Sequence, residues 1–285
     1  MDPVPHVVIV PGQLDAAQLE QVAAGGARWS LGGSARAGIE ASVNAVRELV
    51  AQHSAVYGIN TGFGKLAQTR IADADLVQLQ TNLVLSHSAG VGQPLAALIV
   101  RLMLLLKAAS LAHGLSGVRM EVIDLLLALL NADVLPVIPE EGSVGASGDL
   151  AHLACVLIGV GEASVDGQRM PAAQALAHAG LAPLRLGPKE GLALLNGTQA
   201  STALAARAVQ RVRRVCDVAV AVDAMTVDAA KGSDTPFYDR IHAVRGQRGQ
   251  RTVATRYREW LAGCAPRASI ATACKTRTAC AASRR

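Results

Sequence analysis

Apolar residues return every three or four positions through most of the chain, the spacing of helices that bury one face. Ile39, Val43, Val46 and Val50 mark one such face, on a helix that the pattern caps at Ser34. Leu102, Leu105, Leu106 and Ala109 mark another between Ala96 and His113, and Val122, Leu125, Leu126 and Leu129 a third between Val118 and Asn131. A helix is also predicted over 73–88. The longest pattern runs from Thr198 to about Ala230, with Leu204, Ala208, Val212, Val215 and Val218 or Ala219 on its apolar side. At 1.5 Å per residue that helix extends for roughly 50 Å.

Strand signals are few. His6 to Val10 is a short apolar run ended by Pro11-Gly12, and Trp29-Ser30-Leu31 a second one closed by Gly32-Gly33, with a helix from Leu14 to Ala24 between them. Residues 162–188 read as a connector holding a short helix from Ala172 to Ala179. The prediction is an all-α protein with minor short strands near its N-terminus.

Composition agrees with helices: 51% of residues are hydrophobic but only 2% aromatic, and 285 residues suffice for a large core or two domains. A net charge of +5 invites a nucleic-acid reading. The surplus, however, sits in residues 264–285, where Arg267, Lys275, Arg277, Arg284 and Arg285 stand without an acid; residues 1–263 carry 22 basic and 22 acidic groups. No nucleic-acid partner is expected. The five cysteines lack CxxC spacing, which fits a reduced compartment and no metal site. Leu95 to Leu111 is too short and, with Arg101 and Lys107, too charged to span a bilayer, and Asp2, Pro3, Pro5 and His6 stand where a signal peptide needs basic and then apolar residues. A soluble, cytoplasmic protein with no membrane partner is the expectation.

The chemistry concentrates in Gly142-Ser143-Val144-Gly145-Ala146-Ser147-Gly148-Asp149-Leu150. Small residues alone would make this a tight loop feeding a helix, with Asp149 as its cap or first-turn residue. The complete string resembles the self-processing loop of the aromatic amino acid ammonia-lyases and aminomutases. In that family the amide nitrogen of the glycine, here Gly148, attacks the carbonyl of the alanine, here Ala146. One water leaves as the ring closes and a second as the serine, here Ser147, loses its hydroxyl, giving a 4-methylidene-imidazol-5-one. The resemblance implies that Ala146, Ser147 and Gly148 form the cofactor and that no external cofactor is needed. A serine nucleophile would instead call for a strand-to-helix Gly-x-Ser-x-Gly elbow, which is missing.

Other strings extend the resemblance. Tyr57-Gly58-Ile59-Asn60-Thr61-Gly62-Phe63-Gly64 is not a phosphate loop, since no Gly-Lys-Ser/Thr follows, and matches the family's proton-transfer tyrosine at Tyr57. A phenol acting as a base needs nearby positive charge or hydrogen-bond donors. Ser86-His87 resembles the histidine-specific branch, which makes His87 a substrate-binding candidate. Lys189-Glu190-Gly191-Leu192-Ala193-Leu194-Leu195-Asn196-Gly197-Thr198-Gln199 carries over Asn196 as a substrate-binding residue and Gln199 as a weaker one. Residues alone would make Asn196-Gly197 a turn. The segment Asp239 to Gln250 again resembles the family.

Two departures stand out. Relatives read Asp-Leu-Ala-Pro-Leu-Ala-His after the loop, whereas this chain reads Asp149-Leu150-Ala151-His152-Leu153-Ala154, as if three residues were lost. Motif resemblance also ends near Gly263, and residues 264–285 have the composition of a frameshifted tail rather than of a family segment. The family therefore implies an aspartase/ammonia-lyase-like helical bundle, incomplete at its C-terminus: residues 1–196 as the domain carrying the self-processing loop, 197–263 as the start of the central bundle, 264–285 as a tail. It implies elimination of ammonia from L-histidine to give urocanate, in a homotetramer. A tyrosine or phenylalanine ammonia-lyase, an aminomutase, and a non-catalytic remnant that binds a paralogue are the alternatives.

Overall fold

The computed structural model describes residues 4–52, 55–62, 67–142 and 149–262. Two compact units divide the chain, at residues 207 and 208.

In the first unit, β1 (His6–Ile9) pairs in parallel with β2 (Arg28–Leu31), and α1 (Ala16–Ala24) makes the crossover that a parallel pair requires. α1 starts later than its apolar pattern because Asp15 and Gln18 form a reciprocal cap, each side chain bonded to the other's backbone amide. Ser34 does not cap the next helix. Gly33–Ala35 winds into a 3-10 turn, and α2 (Arg36–Ala51) continues from it without a side-chain cap. A second 3-10 turn, Asp73–Asp75, leads into α3 (Leu76–His87).

The core lies on α4 (Ala97–Leu111) and α5 (Met120–Asn131). Leu102, Met103, Leu104 and Leu105 are all fully buried, so α4 has no solvent face over this stretch. Asn131, at the end of α5, accepts from the Trp29 amide at 2.7 Å and donates to the Trp29 carbonyl at 2.9 Å. Its amide thereby imitates a further strand along β2.

Strands are not confined to the N-terminal region, a correction to the sequence reading. β3 (Val91–Pro94) pairs with β5 (Pro139–Glu141), while β4 (Leu135–Pro136), β6 (Glu162–Val165) and β7 (Gln168–Pro171) form a three-stranded antiparallel sheet. The hairpin signal was Asp166-Gly167, whose φ angles of 51° and 78° are those of a primed hairpin turn. α6 (Asp149–Leu157), α7 (Ala172–His178) and α8 (Glu190–Leu195) complete the unit, and α9 (Gln199–Ala229) leaves it as one long helix.

In the second unit, Val220, Ala224 and Val227 of α9 pack with Tyr257 and Leu261 of α11 (Arg248–Leu261), which follows α10 (Asp239–Val244). Phe237 stacks on Tyr257 at 4.3 Å between ring centroids, and the Tyr257 hydroxyl donates to Asp223 at 2.8 Å. Away from this packed face, Val212, Val215, Val218, Val222 and Met225 are each more than half exposed.

Candidate active site

Two of the stretches singled out by sequence, the turn after Tyr57 and α3, meet α8. Gln80 of α3, fully buried, accepts from the amides of Gly191 at 2.9 Å and Leu192 at 3.3 Å, in the first turn of α8. Gly58, at φ +74°, lies so close to α8 that a Cβ there would collide with the Leu192 side chain. Tyr57, 59% exposed, therefore stands on a turn pressed against the helix that carries Asn196. Asn60 holds that turn from beneath: it is fully buried and its side-chain oxygen accepts from the Val56 amide at 2.8 Å.

His87 ends α3 with Nδ1 at 2.9 Å from the Leu83 carbonyl and 3.2 Å from the Ser86 hydroxyl. A carbonyl only accepts, so Nδ1 carries a hydrogen. Beyond His87, the Ser88 hydroxyl meets the Cys155 thiol of α6 at 2.9 Å, and the Gly90 amide donates to His152 Nε2 at 3.1 Å. Burial pushes the Cys155 thiol up, opposed by the Ser88 bond, and pushes His152 down, opposed by Asp149. A neutral His152 is the form that can accept from Gly90.

Ala146, Ser147 and Gly148 lie outside the described residues. Their flanks do not. A Cβ on Gly142 would fall 3.1 Å from the Asp149 carboxylate, so the chain on either side of residues 143–148 lies side by side. Gly90 adjoins these flanks, since a Cβ there would come within 2.8 Å of His152 and 3.2 Å of Gly142.

Asn196 is exposed at the C-terminal end of α8, with one Nδ2 hydrogen directed to the Leu192 carbonyl at 3.2 Å. Its second amide hydrogen is the donor that a carboxylate would require. Gln199 is placed differently. It is 8% exposed, its side-chain oxygen has no partner among the described residues, and a Cβ on Gly197 would collide with its amide. With Leu106, His113, Thr198 and Thr202 it lines a cavity of about 320 Å3.

Sequence reasoning passed over two buried groups. Gln80 carries no sequence signal beyond a polar residue in an apolar helix. Lys107 broke an apolar run, yet it is 1% exposed and its Nζ donates to the carbonyls of Ala193 and Asn196, both at 2.6 Å. Among the described residues no group of three or more His, Cys, Asp and Glu could hold a metal ion, and no helix is long and apolar enough to cross a membrane.

This helical architecture is that of the lyase fold. Histidine ammonia-lyase from Trypanosoma cruzi superposes with a TM-score of 0.83 at 38% identity, over 89% of this chain and 50% of that one. Tyrosine aminomutase from Streptomyces globisporus gives 0.84 at 35%, over 90% and 49%. The aromatic amino acid lyase family model matches residues 14–280, running past Gly263 into the basic tail. The chain belongs to the aromatic amino acid lyase family. Within it, the chain is 54% identical to the histidine ammonia-lyase of Paracidovorax citrulli (strain AAC00-1) over 268 residues, and 53% identical to that of Salmonella schwarzengrund (strain CVM19633) over 258. These matches cover 93% and 90% of this chain but 52% and 51% of the relatives, so the chain spans about half their length.

Proposed function

We propose that this chain carries histidine ammonia-lyase chemistry, the elimination of ammonia from L-histidine to give urocanate. Identity of 53–54% to histidine ammonia-lyases supports that substrate over the 35% shared with a tyrosine aminomutase. The observation that carries it within the site is the locked ring of His87. With Nδ1 bonded to the Leu83 carbonyl, Nε2 of the neutral ring is left to accept from a donor, which an imidazole N–H or a phenol offers and a phenylalanine ring does not; sequence identity favours the imidazole.

In this reading Ala146, Ser147 and Gly148 close the methylidene-imidazolone, which supplies an electrophilic carbon that no ordinary side chain has. Tyr57 moves the β-proton, and Asn196 directs its second amide hydrogen to the substrate carboxylate. Gln199 contributes through the backbone turn at Gly197 that its amide covers. Residues 1–196 form the part that bears the loop and 197–263 begin the bundle. A cytoplasmic homotetramer is the assembly proposed, supported by the exposed apolar face of α9.

The test is the intact mass of the purified chain together with its turnover. A species lighter by two waters, mapped to residues 146–148, and urocanate formed faster than any product from L-tyrosine or L-phenylalanine are expected. Soluble protein of full encoded mass that forms no urocanate would overturn the reading.

A further inference from the structure

Lys107 occupies a place that core packing does not explain. It stands on α4 two positions after the fully buried Leu102 to Leu105, and is itself 1% exposed. Lysine is almost never fully buried without a partner, and taking an ammonium out of water costs several kcal/mol, which an apolar side chain of similar volume would avoid. Burial pushes its pKa down to about 7. Its acceptors are specific. The last carbonyls of a helix have no partner within that helix. In α8, the Leu192 carbonyl is taken by the Asn196 amide at 3.0 Å and by the Asn196 side chain, whereas Ala193 and Asn196 itself offer their carbonyls to Lys107.

Asn196 is the residue at which the chain leaves α8. It has extended dihedrals, φ −82° and ψ 140°, and Gly197 follows at φ +143°. A backbone between two helices can rotate about such a junction. Fixing the Asn196 carbonyl fixes the plane of its peptide, and with it the direction in which Cα–Cβ leaves the chain. Gln80 holds the opposite end of α8 through two amides. An acceptor thus meets the end of the short helix that offers N–H groups and a donor the end that offers carbonyls. Gln80 does so while its Nε2 has no partner among the described residues, an arrangement that favours holding α8 over satisfying Gln80.

We propose that Lys107 is a positioning residue for Asn196: its amine ties the last turn of α8 to the peptide beyond it and so aims the Asn196 amide. The inference rests on the reading of Asn196 as a substrate-binding residue, and its test separates the two. Amide hydrogen exchange is measured on the 285-residue chain without substrate, beside Lys107→Met, which keeps volume but loses both bonds, and Lys107→Arg, which keeps charge and donors. In Lys107→Met the amides of residues 193–199 are expected to exchange about tenfold faster, while those of α5 stay within about twofold. Lys107→Arg is expected to recover most of the protection. Unchanged exchange at 193–199, or acceleration in α5 as large as at 193–199, would overturn the proposal. Turnover of L-histidine by Asn196→Ala then tests the other claim: full activity removes Asn196 from substrate binding and leaves the exchange result standing. Where both hold, Lys107→Met is expected to raise KM for L-histidine, and Asn196→Ala to add little to that rise.

Discussion

Arg119 and Glu190 form a two-point ion pair, Nε to Oε1 at 2.9 Å and a terminal nitrogen to Oε2 at 2.8 Å, around a Glu190 side chain only 2% exposed. The carboxylate also accepts from the backbone amides of Arg119 at 3.0 Å and Gly187 at 2.6 Å. It therefore closes the loop that enters α8 onto the start of α5. Removing one partner of a buried pair strands the other, so Arg119→Met is expected to destabilise the chain by about 3 kcal/mol. Urea unfolding measures it, and a loss below about 1 kcal/mol, the range of a surface pair, would contradict the assignment.

Gly58 faces Leu192 at positive φ, so a side chain there meets both backbone strain and a collision. Gly58→Ala is expected to cost about 2–4 kcal/mol. Leu192→Ala in the same chain should return part of that loss. Purely additive effects in the double-mutant cycle would show that the two residues do not touch.

Lys107 makes stability depend on pH in a defined direction. Its amine holds a pKa of about 7 in the folded chain against 10.5 for an ordinary lysine. Between those values the unfolded chain binds more protons, so the folded state gains stability as pH rises through this window and loses it as pH falls. Lys107→Met removes the slope. Urea midpoints of the native chain are expected to climb relative to the variant between pH 7 and 10.5, and parallel profiles would mean that the amine stays charged.

Tyr57→Phe keeps the ring and removes the hydroxyl proposed to move a proton. Urocanate formation is expected to fall by about 100-fold or more, while the loss of two waters at residues 146–148 is kept. Ser147→Ala should abolish both. A Tyr57→Phe chain with native turnover would remove the phenol from the reaction.

The exposed valines of α9 predict self-association. Val215 is 68% exposed and Val212 61%, and replacing both by Glu should shift the sedimentation of the chain toward a smaller species. An unchanged distribution would move the interface elsewhere.

Much of this was legible in the residues. The long helices α4, α5 and α9 follow from apolar spacing, because a helix face is a local property of the chain. Tyr57, His87 and Asn196 were singled out because their surroundings in sequence resemble a family whose chemistry is tied to short strings. Where reading failed, local competition explains it: Asp15 capped α1 two residues beyond the start of its apolar pattern, a 3-10 turn displaced Ser34, and Asp166-Gly167 made a hairpin in what looked like a connector.

The sequence by itself determined the family, the helical class and which residues are proposed to form the electrophile, since motif resemblance and periodicity need only near neighbours. Tertiary structure alone decided that Gly58 abuts Leu192, that Glu190 is enclosed by Arg119, and that Lys107 reaches a carbonyl 89 residues away. Those pairings depend on which distant surfaces fit together and which buried polar groups find partners. No local pattern records either.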